Sequence, residues 1–202
     1  MNVAFWNVRG SSRKTLPEEL KFMCASRHLS IITLCDTKSQ LPPPSSLLCR
    51  GGFNSCDFIP SSGRSGGFWI LWKNSISSMF NLEVTFKHRH FLCCLFSDFK
   101  FNTKFYLVFV YAPAHENVKD VFWSEFTTFI KSLDSLFVVM GDLNEIKNAS
   151  EKMGGQTPTM SRFTRLNNFI NDTKLLSLPF YGSKFTWRKK RDGQNNIHEI
   201  LD

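Results

Sequence analysis

The sequence predicts a mixed α/β fold in which two β-sheets pack face to face with helices on the outside. Short apolar segments typical of strands follow one another in the middle of the chain, and two segments with helical periodicity come after them. The chain has 202 residues, of which 42% are hydrophobic, and 21 are phenylalanines. This is enough for one domain with a large aromatic core, so we expect residues 1–202 to form a single domain.

The first part of the chain has the pattern of a strand, a helix and a second strand. Val3 to Trp6 predicts the first strand. Thr15-x-x-Glu18 has the form of a capping box and predicts a helix that continues to about Arg27. Ser30 to Cys35 predicts a buried strand because it is apolar and partly β-branched. Two stretches rich in Pro, Ser and Gly predict loops: Pro42–Ser46 and Ser61–Gly67.

The middle and the end of the chain supply the remaining elements. Turns rather than helices separate five apolar segments, which predicts antiparallel meanders: Phe53–Ile59, Phe68–Lys73, Leu82–His88, Phe91–Phe99 and Phe105–Tyr111. Apolar residues at helical spacing predict an amphipathic helix with Val118, Val121, Phe122, Phe126, Phe129, Ile130 and Leu133 on one face. The later predictions are a strand, a helix and two strands: Leu136–Met140, Arg162–Lys174, Lys184–Lys189 and Asn196–Leu201.

Charge and composition narrow the functional classes. The 25 Lys and Arg exceed the 17 Asp and Glu by 8, which permits a nucleic-acid partner without establishing one. No apolar run approaches the roughly 18–20 residues of a membrane span, and no signal-peptide pattern is present. The six cysteines form no Cys-x-x-Cys pair, which argues against zinc. We expect an intracellular protein, in nucleus or cytoplasm, with no membrane association and no obligate protein partner.

Polar residues sit where the predicted strands end. They are Asn7, Asp36, Tyr111, Asp142 and Asn144. Strand ends at one edge of a sheet converge, and carboxylate and amide oxygens there suit Mg²⁺, while a second carboxylate can orient an attacking water. Each residue also has a simpler explanation: a turn former, an Asx turn or an aromatic residue at a sheet edge.

Six motifs occur in a characteristic order: Trp6-Asn7-Val8-Arg9-Gly10, Leu34-Cys35-Asp36-Thr37-Lys38, Gly63-Arg64-Ser65-Gly66-Gly67-Phe68, Val110-Tyr111-Ala112-Pro113, Gly141-Asp142-Leu143-Asn144-Glu145 and Ser183-Lys184-Phe185-Thr186-Trp187. Together they resemble the endonuclease/exonuclease/phosphatase superfamily. The likeness is greatest to the apurinic-type endonuclease domain of plant LINE-type (non-LTR) retrotransposons, and it runs from Met1 to Asp202. The resemblance implies a four-layer α/β/β/α sandwich (DNase I-like) that cleaves phosphodiester bonds in DNA with Mg²⁺ or Mn²⁺.

The same resemblance implies roles for individual residues. Asn7 and Asp36 would bind the metal, and Tyr111 would contact the scissile phosphate. Asp142 and Asn144 would position the attacking water and stabilise the transition state. The last residue, Asp202, would support the catalytic histidine of the family.

The sequence departs from the family pattern at two places. The family norm at position 36 is Glu, and the Asp side chain is roughly 1.5 Å shorter. The family's Ser-Asp-His motif, which carries the catalytic histidine, lies downstream of the position of Asp202 and is absent from these residues. We therefore expect the chain to lack the last strand or strands of the fold and to be an impaired enzyme.

A basic stretch near the end of the chain is a candidate nucleic-acid contact. It contains Lys184, Arg188, Lys189, Lys190 and Arg191, and Arg9 could join it. A solvated strand end explains it equally well.

Three interpretations of the chain follow: an endonuclease-like domain with impaired catalysis, a nonenzymatic remnant that at most binds nucleic acid, or a phosphatase-like branch acting on a small phosphate ester. The missing histidine and the Lys-Phe-Thr-Trp segment argue against the third.

Overall fold

The structure is a computed structural model that describes residues 1–63, 65–74, 80–189 and 196–201. The chain divides into two compact units. The first consists of Met1–Tyr111 and Ser135–Gly141, and the second of Ala112–Asp134 and Asp142–Asp202. That the whole chain acts as one domain stays a prediction.

The described residues of the first unit form two four-stranded sheets and two helices. In chain order its elements are β1 (Val3–Asn7), α1 (Leu16–Arg27), β2 (Ile31–Cys35), α2 (Ser45–Gly51), β3 (Ser55–Ile59), β4 (Phe68–Trp72), β5 (Phe80–His88), β6 (Phe91–Asp98), β7 (Thr103–Tyr111) and β8 (Phe137–Asp142). The first sheet has the order β1-β2-β4-β3, with β1 parallel to β2 and the other pairs antiparallel. The second has the order β5-β6-β7-β8 and begins as the predicted antiparallel meander.

The alternation of side chains along β2 explains how the first unit is layered. Ile31 and Cys35 point into a core shared with β6 and β7 of the second sheet, where Leu92 and Phe109 are fully buried. Ile32 and Leu34 point to the opposite face, where α1 and α2 cover the sheet. Because both faces of β2 are covered, the whole strand is apolar apart from Thr33.

The second unit is built around two helices. Its elements are α3 (Glu116–Lys131), a 3-10 turn (Ala149–Glu151), β9 (Lys152–Met153), α4 (Met160–Thr173), β10 (Trp187–Lys189) and β11 (Ile197–Glu199). The helices pack through aromatic rings: the ring of Phe169 lies 5.0 Å from that of Phe126 and 5.1 Å from that of Trp123. The three short strands form an antiparallel sheet in the order β10-β11-β9.

The predicted fold class is confirmed, because the described residues form a mixed α/β structure with two multistranded sheets and helices. In the part of the chain that the structure describes, no helix is long and apolar enough to cross a membrane. The prediction of a capping box was wrong. Thr15 has helical backbone angles and its side chain makes no capping hydrogen bond, and Glu18 forms an ion pair with Arg50 instead.

Two further predictions of local structure need correction. Ser45 and Ser46 are not loop residues, because α2 begins at Ser45 directly after Pro44. On α3, Val121 is 62% exposed and Val118 is also exposed, whereas Lys119 is buried. The buried stripe of α3 is therefore rotated from the predicted one.

Candidate functional site

The carboxyl ends of β1 and β2 lie side by side. The parallel register pairs Asn7 with Cys35, so that Asp36 comes one residue after the partner of Asn7. The ladder continues past the strands, with hydrogen bonds from Val8 N–H to the Cys35 carbonyl (3.1 Å) and from Gly10 N–H to the Asp36 carbonyl (2.8 Å). The structure thus brings the two predicted metal ligands to one sheet edge.

The Asp36 carboxylate is held in a fixed orientation. Its Oδ1 accepts a hydrogen bond from Gly66 N–H (3.1 Å), and its Oδ2 lies 3.6 Å from the ammonium of Lys38. The residue is only 7% exposed. Arg9, Asp36 and Lys38 all have positive φ angles near 50°, a backbone region that costs non-glycine residues about 1–2 kcal/mol. Such strain concentrates at functional sites.

The glycine-rich motif is the support for Asp36. Lys38 N–H donates to the Gly66 carbonyl (2.9 Å) and Thr37 N–H to the Gly67 carbonyl (3.3 Å). Gly67 has φ +88°, and a Cβ there would lie 2.5 Å from Thr37 Oγ1. A side chain at position 67 would therefore push the loop away from Asp36. The sequence marks the motif by its glycines but does not indicate this role.

The oxygens at this edge fit a hard divalent cation. Asp36 offers a carboxylate, and Asn7 offers an amide whose Oδ1 also accepts Arg9 N–H at 3.2 Å, as in an Asx turn. The Lys38 ammonium beside Asp36 shows that this carboxylate attracts a positive charge. Within the described part of the chain, no group of three or more His, Cys, Asp or Glu could hold a metal. Mg²⁺ is commonly bound by one or two carboxylates, water and substrate phosphate.

Tyr111 ends β7 and is tied to His90 at the β5–β6 turn. Its N–H donates to the His90 carbonyl (2.8 Å), and His90 Nδ1–H donates to the Tyr111 carbonyl (3.2 Å). Burial lowers the pKa of the His90 imidazole to about 4. The hydrogen bond to Tyr111 raises this pKa, whereas the positive charges of Arg89 and His88 lower it further. The Tyr111 backbone is thus fixed by a neutral imidazole near pH 7.

Asp142 and Asn144 form a compact loop in the second unit. Asn144 N–H donates to Asp142 Oδ1 (3.1 Å), and the Asn144 side-chain amide donates to the Ala112 carbonyl (2.7 Å). Ala112 N–H in turn donates to the Asp142 carbonyl (2.8 Å). Asn144 has φ +50°. The two predicted catalytic residues of this loop are therefore in direct contact.

A buried charge network surrounds this loop, and the sequence analysis missed it. Lys119 is 3% exposed and Glu145 is 1% exposed, and they lie 3.2 Å apart. Glu145 also binds Arg162 and Arg165 of α4. The sequence contains one sign of this network. Lys119 lies on the same face of α3 as Phe122 and Phe126, where an apolar residue would be expected.

Charge pairing sets the pKa values in this network. Burial alone would lower the pKa of the Arg162 guanidinium, but hydrogen bonds and attraction from Glu199 and Glu145 outweigh burial and raise it. Burial would raise the pKa of the Glu199 carboxyl, yet Arg162 and then Lys152 hold it below its ordinary value. Arg162 and Glu199 are therefore charged at neutral pH.

The predicted nucleic-acid contacts are described only in part. Lys184, Arg188 and Lys189 are exposed, as is Arg9 in the first unit. Within the basic stretch, Phe185 packs on the His198 ring at 5.6 Å, and β10 pairs with β11. Lys190, Arg191 and Asp202 lie outside the described residues.

Comparison with solved structures identifies the fold. No protein-family model matches the chain, and no curated protein matches its sequence. The endonuclease domain of TRAS1, a telomere-specific non-LTR retrotransposon, aligns with a TM-score of 0.67 at 13% identity over 98% of this chain and 81% of its own.

Two further nucleases have the same architecture. The AP endonuclease LMAP from Leishmania major aligns with a TM-score of 0.63 at 15% identity, over 84% of this chain and 65% of its own length. The 3′-5′ exonuclease NExo from Neisseria meningitidis aligns with a TM-score of 0.61 at 14% identity, over 85% and 71%. At these identities the shared property is the fold, which is the DNase I-like fold of AP endonucleases.

Proposed function

We propose that this chain is an endonuclease-type domain, of the plant non-LTR retrotransposon kind, that hydrolyses phosphodiester bonds in DNA with Mg²⁺ or Mn²⁺. The observation that carries the proposal is the parallel pairing of β1 with β2, which brings Asn7 and Asp36 to the same edge of the first sheet. The proposal is supported by the fold, which the chain shares with several nucleases.

Asp36 and Asn7 would hold the metal through their side-chain oxygens. When bound, the metal supplies positive charge that neutralises a phosphate and stabilises the leaving oxygen. The hydrogen bond from Gly66 N–H keeps the Asp36 carboxylate oriented before a cation arrives. The side chain of Asp is shorter than that of Glu, so we expect weak metal binding.

Asp142 and Asn144 would act on the attacking water and the phosphate. The Asp142 carboxylate would accept a proton from the attacking water. The water oxygen would bond to phosphorus while the P–O bond to the leaving nucleotide breaks. One amide hydrogen of Asn144 is bonded to Ala112, and the other would donate to a phosphate oxygen. As the family resemblance implies, the Tyr111 hydroxyl would contact the scissile phosphate, and Asp202 would support a histidine. Because Asp36 is expected to bind the metal weakly, we expect slow turnover.

Nucleic-acid binding would use exposed cations. Lys184, Arg188 and Lys189 are exposed and would contact phosphates together with Lys190, Arg191 and Arg9. The second candidate function, a nonenzymatic nucleic-acid binder, is favoured by the exposed aromatic residues that precede this stretch: Phe180 is 64% and Tyr181 99% exposed. Bases can stack on such side chains without any cleavage.

Nicking of supercoiled plasmid in Mg²⁺ tests the proposal. We expect the chain to nick slowly, EDTA to abolish nicking, and Asp142→Ala to lower the rate at least about 100-fold, as loss of an acid/base group does. Asp172→Ala, which removes an exposed carboxylate of α4, is the matched control and should nick like the unaltered chain. If the chain binds the plasmid but does not nick it, the nonenzymatic binding function is supported instead. If Asp142→Ala and Asp172→Ala nick at equal rates, Asp142 has no role in the mechanism.

A further inference from the structure

We propose that Lys119 and Glu145 are positioning residues that hold the Asp142–Asn144 loop in its reactive conformation. The functional consequence rests on the proposed function of Asp142 and Asn144, whereas the positioning itself does not. Glu145 ends the Gly141–Glu145 motif, but neither it nor Lys119 was given a role from the sequence.

The ammonium of Lys119 has a partner for each of its three N–H groups. It donates to the Asn144 carbonyl at 2.9 Å, and it lies 3.2 Å from a carboxylate oxygen of Glu116 and 3.2 Å from one of Glu145. Its side chain is 4% exposed. A lysine is almost never buried in this way unless it is paired, so its position on α3 is fixed by these three acceptors.

Glu145 is clamped from two helices. Its Oε1 accepts from Arg165 Nε at 2.7 Å and faces Lys119, and its Oε2 accepts from Arg162 Nε at 3.2 Å. Arg162 then continues to Glu199 with two parallel bonds of 3.1 Å. The carboxylate next to Asn144 is therefore bound by α3 on one side and by α4 on the other.

These contacts converge on the backbone of Asn144. Its carbonyl is held by Lys119, its N–H by Asp142 Oδ1 and its side chain by the Ala112 carbonyl. The φ angle of +50° at Asn144 is uncommon for a non-glycine residue. Such a conformation persists only where the surroundings over-determine it. Lys119 supplies the contact on the carbonyl side and Glu145 anchors Lys119.

A role in stability alone does not account for this arrangement. Replacing a buried ion pair by apolar residues of similar volume is often neutral or stabilising, because the charges must be desolvated. What an apolar pair cannot do is hold a peptide carbonyl in one orientation. The bond from Lys119 to the Asn144 carbonyl is therefore the part of the network that requires an ammonium.

The test compares Lys119→Met with Lys152→Met in the full chain. Lys152 belongs to the same network and lies 3.2 Å from Glu199 Oε1, but among the described residues its ammonium forms no hydrogen bond or ion pair with the 142–147 loop. The first readout is hydrogen exchange of the Asn144 amide. We expect exchange at least about tenfold faster in Lys119→Met, as for loss of one constraining hydrogen bond of about 1.4 kcal/mol, and within about twofold of the unaltered chain in Lys152→Met.

The second readout is plasmid nicking under saturating and subsaturating DNA. We expect Lys119→Met to lower kcat about tenfold or more with KM unchanged, since small misplacements of reacting groups cost up to about 100-fold. Lys119→Arg keeps the charge beside Glu145 but replaces the compact ammonium by a planar guanidinium. If the Met variant does not fold, Lys119→Arg and Lys152→Arg are compared in its place, and faster Asn144 exchange is expected in the first alone.

The outcomes separate the two proposals. Unchanged Asn144 exchange in the Lys119 variant, or an equal increase in the Lys152 variant, overturns the positioning role. Faster exchange in the Lys119 variant alone supports positioning even if the unaltered chain cleaves no DNA, in which case only the proposed function fails. Faster exchange with an unchanged kcat would show that the loop is held by Lys119 but is not catalytic, which overturns the functional half of the inference.

Discussion

His90 and Tyr111 are joined by two hydrogen bonds in opposite directions, one from backbone to backbone at 2.8 Å and one from the imidazole to the Tyr111 carbonyl at 3.2 Å. The second bond requires a proton on Nδ1 and is compatible with a neutral ring. Because burial lowers the pKa of His90 to about 4, the folded chain keeps this ring neutral well below the pH at which the unfolded chain protonates it.

We therefore predict acid-sensitive stability from His90. Between pH 6.5 and about 4 the unfolded state binds a proton at this position that the folded state does not, so stability is lost as pH falls through this range. His90→Gln should be less stable than the unaltered chain at pH 7.5, because the buried bond is perturbed, and the difference should shrink toward pH 4.5. Urea unfolding at several pH values measures it, and parallel stability curves for the two proteins would contradict the prediction.

Gly141→Ala should strongly destabilise the first unit. Gly141 has φ +155°, and a Cβ there would lie 1.9 Å from the Val110 carbonyl oxygen. Backbone must move to relieve this clash, so we expect a loss of about 3 kcal/mol or more. Gly63→Ala is the matched control, since Gly63 also has positive φ but its Cβ would meet nothing within 4 Å; it should cost about 1 kcal/mol. Equal losses in denaturant unfolding would mean that the close approach of β8 to β7 is unimportant.

Thr33→Val should stabilise the protein. Thr33 is fully buried at the centre of β2, and its hydroxyl oxygen has no hydrogen-bond partner among the described residues. Valine keeps the shape and the β-branch and removes a buried unpaired hydroxyl, which should add about 1 kcal/mol to the free energy of unfolding. Thr85→Val serves for comparison because the Thr85 hydroxyl donates to the Cys93 carbonyl at 3.3 Å, and it should be neutral or destabilising. A destabilised Thr33→Val would show that the hydroxyl finds a partner in solution.

Replacing Phe180 and Tyr181 by serine should weaken binding to single-stranded DNA. Both rings are exposed ahead of the basic stretch, and stacking of one base contributes about 1–3 kcal/mol, so we expect at least about a tenfold increase in Kd by fluorescence anisotropy. Phe22→Ser removes another exposed phenylalanine, on α1, and should leave Kd unchanged. Better solubility without loss of DNA affinity would mean that the aromatic pair only promotes self-association.

The sequence predicted those parts of the structure in which local pattern and burial agree. Strand β2 is apolar apart from Thr33 and Asp36 follows its last residue, so both the strand and the position of the carboxylate could be located from the residues. Thr15 and Glu18 have the sequence pattern of a capping box, but Glu18 forms an ion pair with Arg50 instead. Arg50 is distant in the sequence, so no local pattern reveals this partner.

The missed part of the candidate site depends on contacts between distant segments. Lys119 and Glu145 are separated along the chain and are buried only because α4 brings two arginines to the same carboxylate. A lysine within an apolar stripe is a local signal, but its bond to the Asn144 carbonyl follows from tertiary packing. The glycine-rich 63–67 motif shows the same limit: its composition predicts a loop, while its hydrogen bond to Asp36 is set by the pairing of β2 with β4.

The interleaved order of the two units has a consequence for synthesis. The first unit needs β8, whose Val138 and Met140 pack into the core between the sheets. During translation, however, the whole of α3 is synthesised after β7 and before β8. At about 5–20 residues per second, β7 emerges from the ribosome a few seconds before its neighbour exists. During that interval a strand edge flanked by apolar side chains is open to other nascent chains. Slower translation of the α3 segment would lengthen this interval, so codon choice there should influence the yield of folded protein.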